Sequence, residues 1–265
     1  MDSSGFALHR DEVSDALTRG EQKIAVLPGL QSRPVKAGTT LVRGGTSHDY
    51  VYRLQSGWAG RVRHLADGRS QYILIFLPGD LFAVKSMFVS SHPDAIQVMA
   101  DAVLEQIHYQ ELRQAFDQDS DVATRCIWQV IEEERRLHNW IVSLGRCTSE
   151  ERLAFFLNET RTRLVLSGSI QPDAWSFELP MTQLQMGDYL GISTVHVNRT
   201  LKWLHEAGVA TKRESAGRPG LSVGRRSRAS GGTSFDAGLT CPPAAAPTLM
   251  RSGRRCCSSA TASPT

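Results

Sequence analysis

The sequence predicts an α+β chain with an N-terminal antiparallel jelly roll, one long helix and a C-terminal winged helix-turn-helix. Three observations carry that prediction. Turn-forming residues recur about every 11 positions between roughly residues 34 and 110. Apolar residues repeat at alternating spacings of four and three from Ala123 to Leu144. Residues 181–208 read as two short helices joined at a glycine. With 265 residues, 41% of them apolar, the chain can bury a core in one large domain or two small ones.

In the first region the turn signals are Gly44-Gly45, Ser56-Gly57, Asp67-Gly68 and Pro78-Gly79-Asp80, a spacing that suits β-hairpins. Several short strands at that interval predict a sandwich or barrel, here a jelly roll over residues 1–118. The run from Tyr72 to Leu77 is apolar throughout and predicts a strand covered on both faces.

The second region changes period. Ala123, Ile127, Val130, Glu134, Leu137, Ile141 and Leu144 fall on the seam of a two-stranded coiled coil, interrupted by one acid. At 1.5 Å per residue, the helix is a rod of roughly 39 Å. The same spacing also suits an amphipathic helix packed on its own domain, so the residues alone leave both readings open. Next, Thr148 and Glu151 form a capping box for a helix to about Leu166, with Leu153, Phe156, Leu157 and Leu164 on its apolar side.

The third region is the most informative. Thr182 and Gln185 form a second capping box, which starts a helix at Gln183 and carries it to about Leu190. Gly191 permits the turn, and Ser193 is placed to cap a helix that ends at Gly208. Small Gly187 lets the two helices touch, and Val197 anchors the second on the first. Leu190, Ile192, Val197, Leu201 and Leu204 then make the small core, which leaves Thr194, His196, Asn198, Arg199 and Lys202 outward. Such side chains hydrogen-bond base edges or clamp phosphates: Arg suits guanine O6 and N7, and Asn suits adenine.

Charge and cysteine content exclude several classes. The net charge is +3, but residues 215–265 hold seven Arg against the single acid Asp236, so the rest of the chain is mildly acidic. Overall basicity therefore says nothing about nucleic-acid binding. The five cysteines form no C-x-x-C pair and support neither a zinc site nor a disulfide framework. No apolar run is long enough for a membrane helix, and the polar opening lacks a secretory pattern, so a cytoplasmic protein with no membrane partner is expected. A wing should follow the second helix. Val209–Glu214 supplies its first strand, but only Leu221-Ser222-Val223 offers a return. Ser, Gly, Ala, Pro and Thr make up 34 of the last 51 residues. That composition predicts a disordered tail over 225–265, either a basic arm for phosphates or an extension without function.

A roll, a long helix and the motif Thr182-Gln183 through Gly191-Ile192-Ser193-Thr194-Val195-His196-Val197-Asn198-Arg199-Thr200-Leu201 together resemble the Crp/Fnr family of bacterial transcription regulators. Two further motifs agree: Pro78-Gly79-Asp80 falls at the family's Gly-Asp turn, and Leu54-Gln55-Ser56-Gly57 at a strand followed by Ser-Gly. The resemblance spans about residues 20–214. It implies a cyclic-nucleotide-binding-like sensor over 1–118, a dimerisation helix over 119–145 and a winged helix-turn-helix over 146–224. It also implies a homodimer joined along Ile127, Val130, Glu134, Leu137, Ile141 and Leu144. Its partners would be double-stranded DNA and RNA polymerase. Thr182, Gln183, Ser193, Thr194, Val195, His196, Asn198, Arg199 and Lys202 would then be the DNA-binding residues, with Arg199 a principal base contact.

Departures from the family pattern narrow the inheritance. Where nucleotide-binding members carry Gly-Glu and Arg-Ser, this chain has Ala83-Val84 and Asp94-Ala95. An acid there would repel a phosphate, so cyclic-nucleotide binding is not expected. No cysteine precedes Cys126, which removes the ligands of an iron–sulfur cluster. No cofactor is therefore assigned. Haem stays open through His48, His64, His92 and His108, each of which otherwise reads as polar surface. Val195 stands where many members have Glu, so the recognised half-site should differ. Two rivals remain: a small-molecule or haem sensor whose wing no longer supports DNA binding, and a cupin-like enzyme, for which the H-x-H metal set is missing.

Overall fold

A computed structural model describes residues 10–174, 176–206, 210–215 and 218–223. Six strands form the roll: β1 (Gln31–Val35), β2 (Thr40–Val42), β3 (Tyr50–His64), β4 (Ser70–Phe76), β5 (Leu81–Phe82) and β6 (Ala95–His108). All pairs are antiparallel, and the long strands β3 and β6 are the spine on which the others pair.

Of the four turn signals, only Asp67-Gly68 closes a hairpin, between β3 and β4. Gly44-Gly45 joins β2 to β3, yet β2 pairs with β6. Pro78-Gly79-Asp80 joins β4 to β5, and both of those pair with β3. Ser56-Gly57 is not a turn, because β3 runs straight through it. Gly57 has φ +85° at a register irregularity between Leu54 and Ala59, and a Cβ on it would sit 2.4 Å from the Asp101 carbonyl oxygen. Local chemistry there serves a bulge, which needs the same backbone freedom as a turn. The expected doubly covered strand is present: Tyr72, Leu74, Ile75, Phe76 and Leu77 are all buried.

Helix α1 (Asp11–Ala25), absent from the sequence reading, packs on the long helix α3 (Ser120–Arg146). The backbones meet at Gly20, where a Cβ would lie 2.2 Å from the Asp121 carbonyl oxygen. Arg19 bonds Asp121 at 2.9 Å, and Lys23 bonds Asp119 at 2.7 Å and Asp121 at 2.8 Å. Helix α2 (Tyr109–Gln118) links β6 to α3, whose first turn is capped by the Asp119 carboxylate.

The expected seam divides on α3. Ile127, Val130, Glu134 and Ile141 are exposed, together with Ile131 and Val142, which the seam reading did not include. Leu137 is half-buried against the roll core, and Leu144 is half-buried against the core that also holds the C-terminal helices. The apolar stripe open to a partner is thus rotated slightly from the heptad positions, as a straight 3.6-residue helix drifts against a 3.5-residue repeat.

Helix α4 (Ser149–Leu166) begins at the predicted capping box of Thr148 and Glu151. Strand β7 (Phe177–Leu179), helices α5 (Gln183–Leu190) and α6 (Thr194–Glu206), and strands β8 (Ala210–Ser215) and β9 (Arg218–Val223) complete the described residues. The return strand that the sequence wrote poorly is β9, which lies between β7 and β8. Its Pro219 pairs with Glu214 of β8 beyond the three residues that β7 covers, so the missing N–H interrupts no ladder on the β7 side. The tail over 225–265 lies outside the described residues.

Roll and C-terminal helices share one core. Trp58, Tyr72, Ile75 and Met99 of the roll pack in a cluster with Trp140 of α3, Phe156 of α4 and Met186, Tyr189 and Leu190 of α5. The Tyr189 ring stacks on Trp140 at 4.3 Å. Among the described residues no helix is long and apolar enough to cross a membrane.

Candidate nucleic-acid interface

The two helices of the motif are built as their sequence dictates. The Thr182 hydroxyl accepts the Gln185 backbone N–H at 3.1 Å, while the Gln185 side chain accepts the Thr182 N–H at 2.8 Å, closing the capping box. At the other end Gly191 adopts φ +67°, and the N–H groups of Gly191 and Ile192 both reach the Gly187 carbonyl, at 2.9 and 3.2 Å. A Cβ on Gly187 would lie 2.8 Å from the Ile192 carbonyl oxygen, so glycine is what allows the second helix to lean on the first. Val197 fills the contact and is fully buried.

Along α6, Val197, Thr200, Leu201 and Leu204 are buried and face the core. Thr194, Val195, His196, Asn198, Arg199 and Lys202 are exposed, as is Ser193 just before the helix. The structure therefore gathers the DNA-binding residues expected on this helix onto the solvent side. Thr182 is exposed at the start of α5, and Gln183 beside it is half-buried. Ser193 is the predicted cap: its hydroxyl accepts the His196 backbone N–H at 3.3 Å and lies 2.8 Å from the His196 ring Nδ1. Arg199 stands 3.9 Å from Glu150 at the start of α4, and Lys202 3.8 Å from Glu206. Leu184 and Trp203, both exposed, flank the face and were not read from the sequence. Their positions on the two short helices were the available signal.

Arg152 of α4 fixes the motif relative to the long helix. Its guanidinium donates to the carbonyls of Leu144 (2.9 Å), Cys147 (3.1 Å) and Leu190 (3.1 Å), which satisfies the C-terminal ends of α3 and α5 at one point. Gln71 of β4 donates to the Tyr189 carbonyl at 3.2 Å. Below these contacts lies a buried ion cluster. Asp80 of the Pro-Gly-Asp turn accepts from Arg163 of α4 and from Arg136 of α3, the latter at 3.4 Å. Burial pushes the Asp80 carboxyl up, but Arg163 and Arg136 together with the Leu77 N–H hold it below its ordinary value.

In the roll interior aromatic rings stack on one another: Tyr52 on Phe82 at 5.3 Å and Phe82 on Phe76 at 4.7 Å. Ala83 holds a left-handed conformation with φ +59°, and Asp94 bonds Arg63 at 2.7 Å. The buried Arg61 is neutralised by Glu133 of α3 at 2.8 Å. The four histidines do not converge on one point. His64 is exposed beside Ser70, and His108 caps α2. His92 is no surface residue: it is buried, hydrogen-bonded to Ser86 at 2.8 Å and 6.1 Å from the His48 ring. The loops before β3 and β6 are zipped together by the Gly45 N–H on the His92 carbonyl, which encloses the ring. Burial and the neighbouring His48, Arg61 and Lys85 lower its pKa to about 4. Burial likewise pushes the Cys126 thiol up to about 12, consistent with an inert core thiol. Among the described residues no group of three or more His, Cys, Asp or Glu could hold a metal ion.

Comparison with known proteins agrees with this geometry. Residues 32–119 match the cyclic nucleotide-binding domain, and residues 151–218 match the Crp-like helix-turn-helix domain. The chain is 24% identical over 216 residues to the anaerobic regulatory protein of Haemophilus influenzae, an overlap of 79% of this chain and 83% of that protein. It is 29% identical over 170 residues to the transcriptional activator protein Anr of Pseudomonas protegens, covering 64% and 68% respectively. Among solved structures it is similar to FixK2 from Bradyrhizobium japonicum, with TM-score 0.64 and 27% identity over 74% of this chain and 93% of that one.

A roll tied through a long helix to a helix-turn-helix with an exposed, donor-rich second helix defines a DNA-binding transcription regulator. The chain belongs to the Crp/Fnr family of such regulators.

Proposed function

We propose that the protein is a homodimer that binds a palindromic operator, with two copies of α6 entering successive major grooves about 34–36 Å apart. The observation that carries this reading is the division of α6 into a buried stripe and an opposite exposed stripe of Asn198, Arg199 and Lys202. Thr182, Gln183 and Ser193 would position the backbone, while Thr194, Val195, His196, Asn198, Arg199 and Lys202 face the groove. Ile127, Val130, Glu134 and Ile141 would meet their counterparts across the dimer, with Leu137 and Leu144 at its edge. RNA polymerase would be met on the DNA, in the cytoplasm, and the protein would have no catalytic role.

The antiparallel pairing of β8 with β9 supports this reading over a sensor with a damaged DNA-binding domain. Ala83 and Asp94, at the places that would hold ribose and phosphate, support a signal other than a cyclic nucleotide. Selection of duplexes from a random pool, with sedimentation analysis of the complex, tests the proposal. A two-fold symmetric site bound by two chains is expected; a monomer, or no preference over random competitor at low salt, overturns it.

A further inference from the structure

Val195 is 75% exposed in the first turn of α6, on a face otherwise lined by polar side chains. At about 100° per residue, Val195, Asn198, Arg199 and Lys202 form one stripe, opposite the buried Val197, Thr200, Leu201 and Leu204. The valine therefore sits in the middle of the presented surface rather than at its rim. It does nothing for the folded chain there, since its isopropyl group remains in water. The neighbouring His196 ring is steadied by the Ser193 hydroxyl, 2.8 Å from its Nδ1. A base edge in the major groove offers one apolar group, the thymine 5-methyl. Valine is also stiff at χ1, so ordering it in a groove costs little entropy.

We propose that Val195 reads a thymine methyl, so that each half-site carries a T·A pair facing the first turn of α6. The inference rests on the proposed operator binding. Val195 and Arg199 are about 6 Å apart along the helix axis, about two base-pair steps. The thymine therefore lies within about two pairs of the base that Arg199 addresses, with Asn198 serving a pair between or beside them. Specificity at this position comes from an apolar contact, whereas its neighbours are read by hydrogen bonds.

The test uses the full chain and the duplex it selects from a random pool. Each thymine of the half-site is replaced in turn by deoxyuridine, which removes only the methyl. One position per half-site should respond, with affinity falling about fourfold for one replacement and about 15-fold for both half-sites together. Val195→Ala should be insensitive to the same replacement, and 5-methylcytosine should be tolerated better than cytosine at that position. Because Val195 is exposed, neither Val195→Ala nor Val195→Glu disturbs the core, and Val195→Glu should shift the preferred base there from thymine to cytosine. A selected operator in which no deoxyuridine weakens binding, or in which Val195→Ala loses as much as the native chain, overturns the inference and leaves the operator reading standing. A pool in which no duplex is enriched overturns both.

Discussion

Replacing Asp80 by Asn tests whether the roll and the DNA-binding helices are held by charge at the Pro-Gly-Asp turn. The substitution conserves volume and keeps an acceptor for the Leu77 N–H, which reaches the native carboxylate at 2.9 Å, so the turn itself survives. What it removes is the carboxylate bonded to two enclosed guanidiniums, the Arg136 side chain being 5% exposed and that of Arg163 11%, with Glu159 left as a nearby countercharge to both. Leaving one partner of a buried pair uncompensated costs about 3–5 kcal/mol, and in a chain of this size that lowers the melting temperature by about 10 °C. The Asp80→Asn/Arg163→Met double variant should lose less than the sum of the singles, by about 1–3 kcal/mol, because it removes one stranded cation. Because Asp80 has a depressed pKa in the folded chain, its contribution is present above the unfolded carboxylate value and lost as pH falls through the folded one. The native protein should thus lose stability at acid pH more steeply than the variant. Thermal and urea melts of the four proteins measure all of this. A loss below about 1 kcal/mol, or strict additivity, would falsify the clamp.

Four further outcomes are expected. Arg199→Ala should cost about 1–3 kcal/mol in specific binding and relax the choice at one base pair, as read by competition with single-base operator variants; unaltered selectivity would remove Arg199 from the reading set. Gly187→Ala should destabilise the chain despite the helix-propensity gain of about 1 kcal/mol, because its Cβ meets the Ile192 carbonyl oxygen at 2.8 Å; a raised melting temperature would show that α6 can slide freely. Ile141→Glu, on a residue 66% exposed, should shift the chain toward monomer in sedimentation without lowering monomer helicity, and an unchanged dimer would place the contact elsewhere. His92 is lowered to about 4, so the folded chain resists its protonation and stability should decline as pH falls from about 6.5 toward 4. His92→Gln should flatten melting temperature against pH in that window if His92 is the responsible group, as opposed to His48, whose pKa burial also lowers.

The parts that were legible in the sequence are those written by neighbouring residues. Thr182 with Gln185, Gly187 and Gly191 specify the helix-turn-helix within ten positions, and each sits where local chemistry placed it. Ser56-Gly57 misled because a positive-φ glycine serves a bulge and a turn equally, and which one forms depends on whether the partner strand β6 continues past it. Helix α1 went unseen because its identity is written in its partner: Gly20 is silent until it meets Asp121, and Lys23 is an ordinary surface cation until it meets Asp119. His92 looked like surface for the same reason, since the loop that encloses it lies more than 40 residues away in sequence. On α3 the period was readable, but the phase was set by which side the roll covers, so Ile131 and Val142 emerged as exposed and Leu137 as half-buried.

The same long-range contacts determine how a signal could reach the reading helix. Strand β4 touches the C-terminal helices at both ends: Gln71 and Tyr72 meet α5, and Ile75 and the following Asp80 turn meet Arg163 of α4. That turn is also tied to β3, where the Leu54 N–H donates to the Asp80 carbonyl at 3.0 Å and the Gly79 N–H to the Leu54 carbonyl at 2.8 Å. Between these ties the core is a continuous set of packed side chains, and a close-packed interior transmits a displacement rather than absorbing it. A ligand or partner acting on the roll therefore alters DNA binding only if it binds two arrangements of β4 with different affinity. The arrangement it must compete with is the one stabilised by Asp80, Arg136, Arg163 and the Trp140–Tyr189 stack. Releasing α5 from β4 would open the cluster that holds Tyr72 and Met186 to water, so such a ligand or partner would have to overcome an apolar contact as well as a charge cluster.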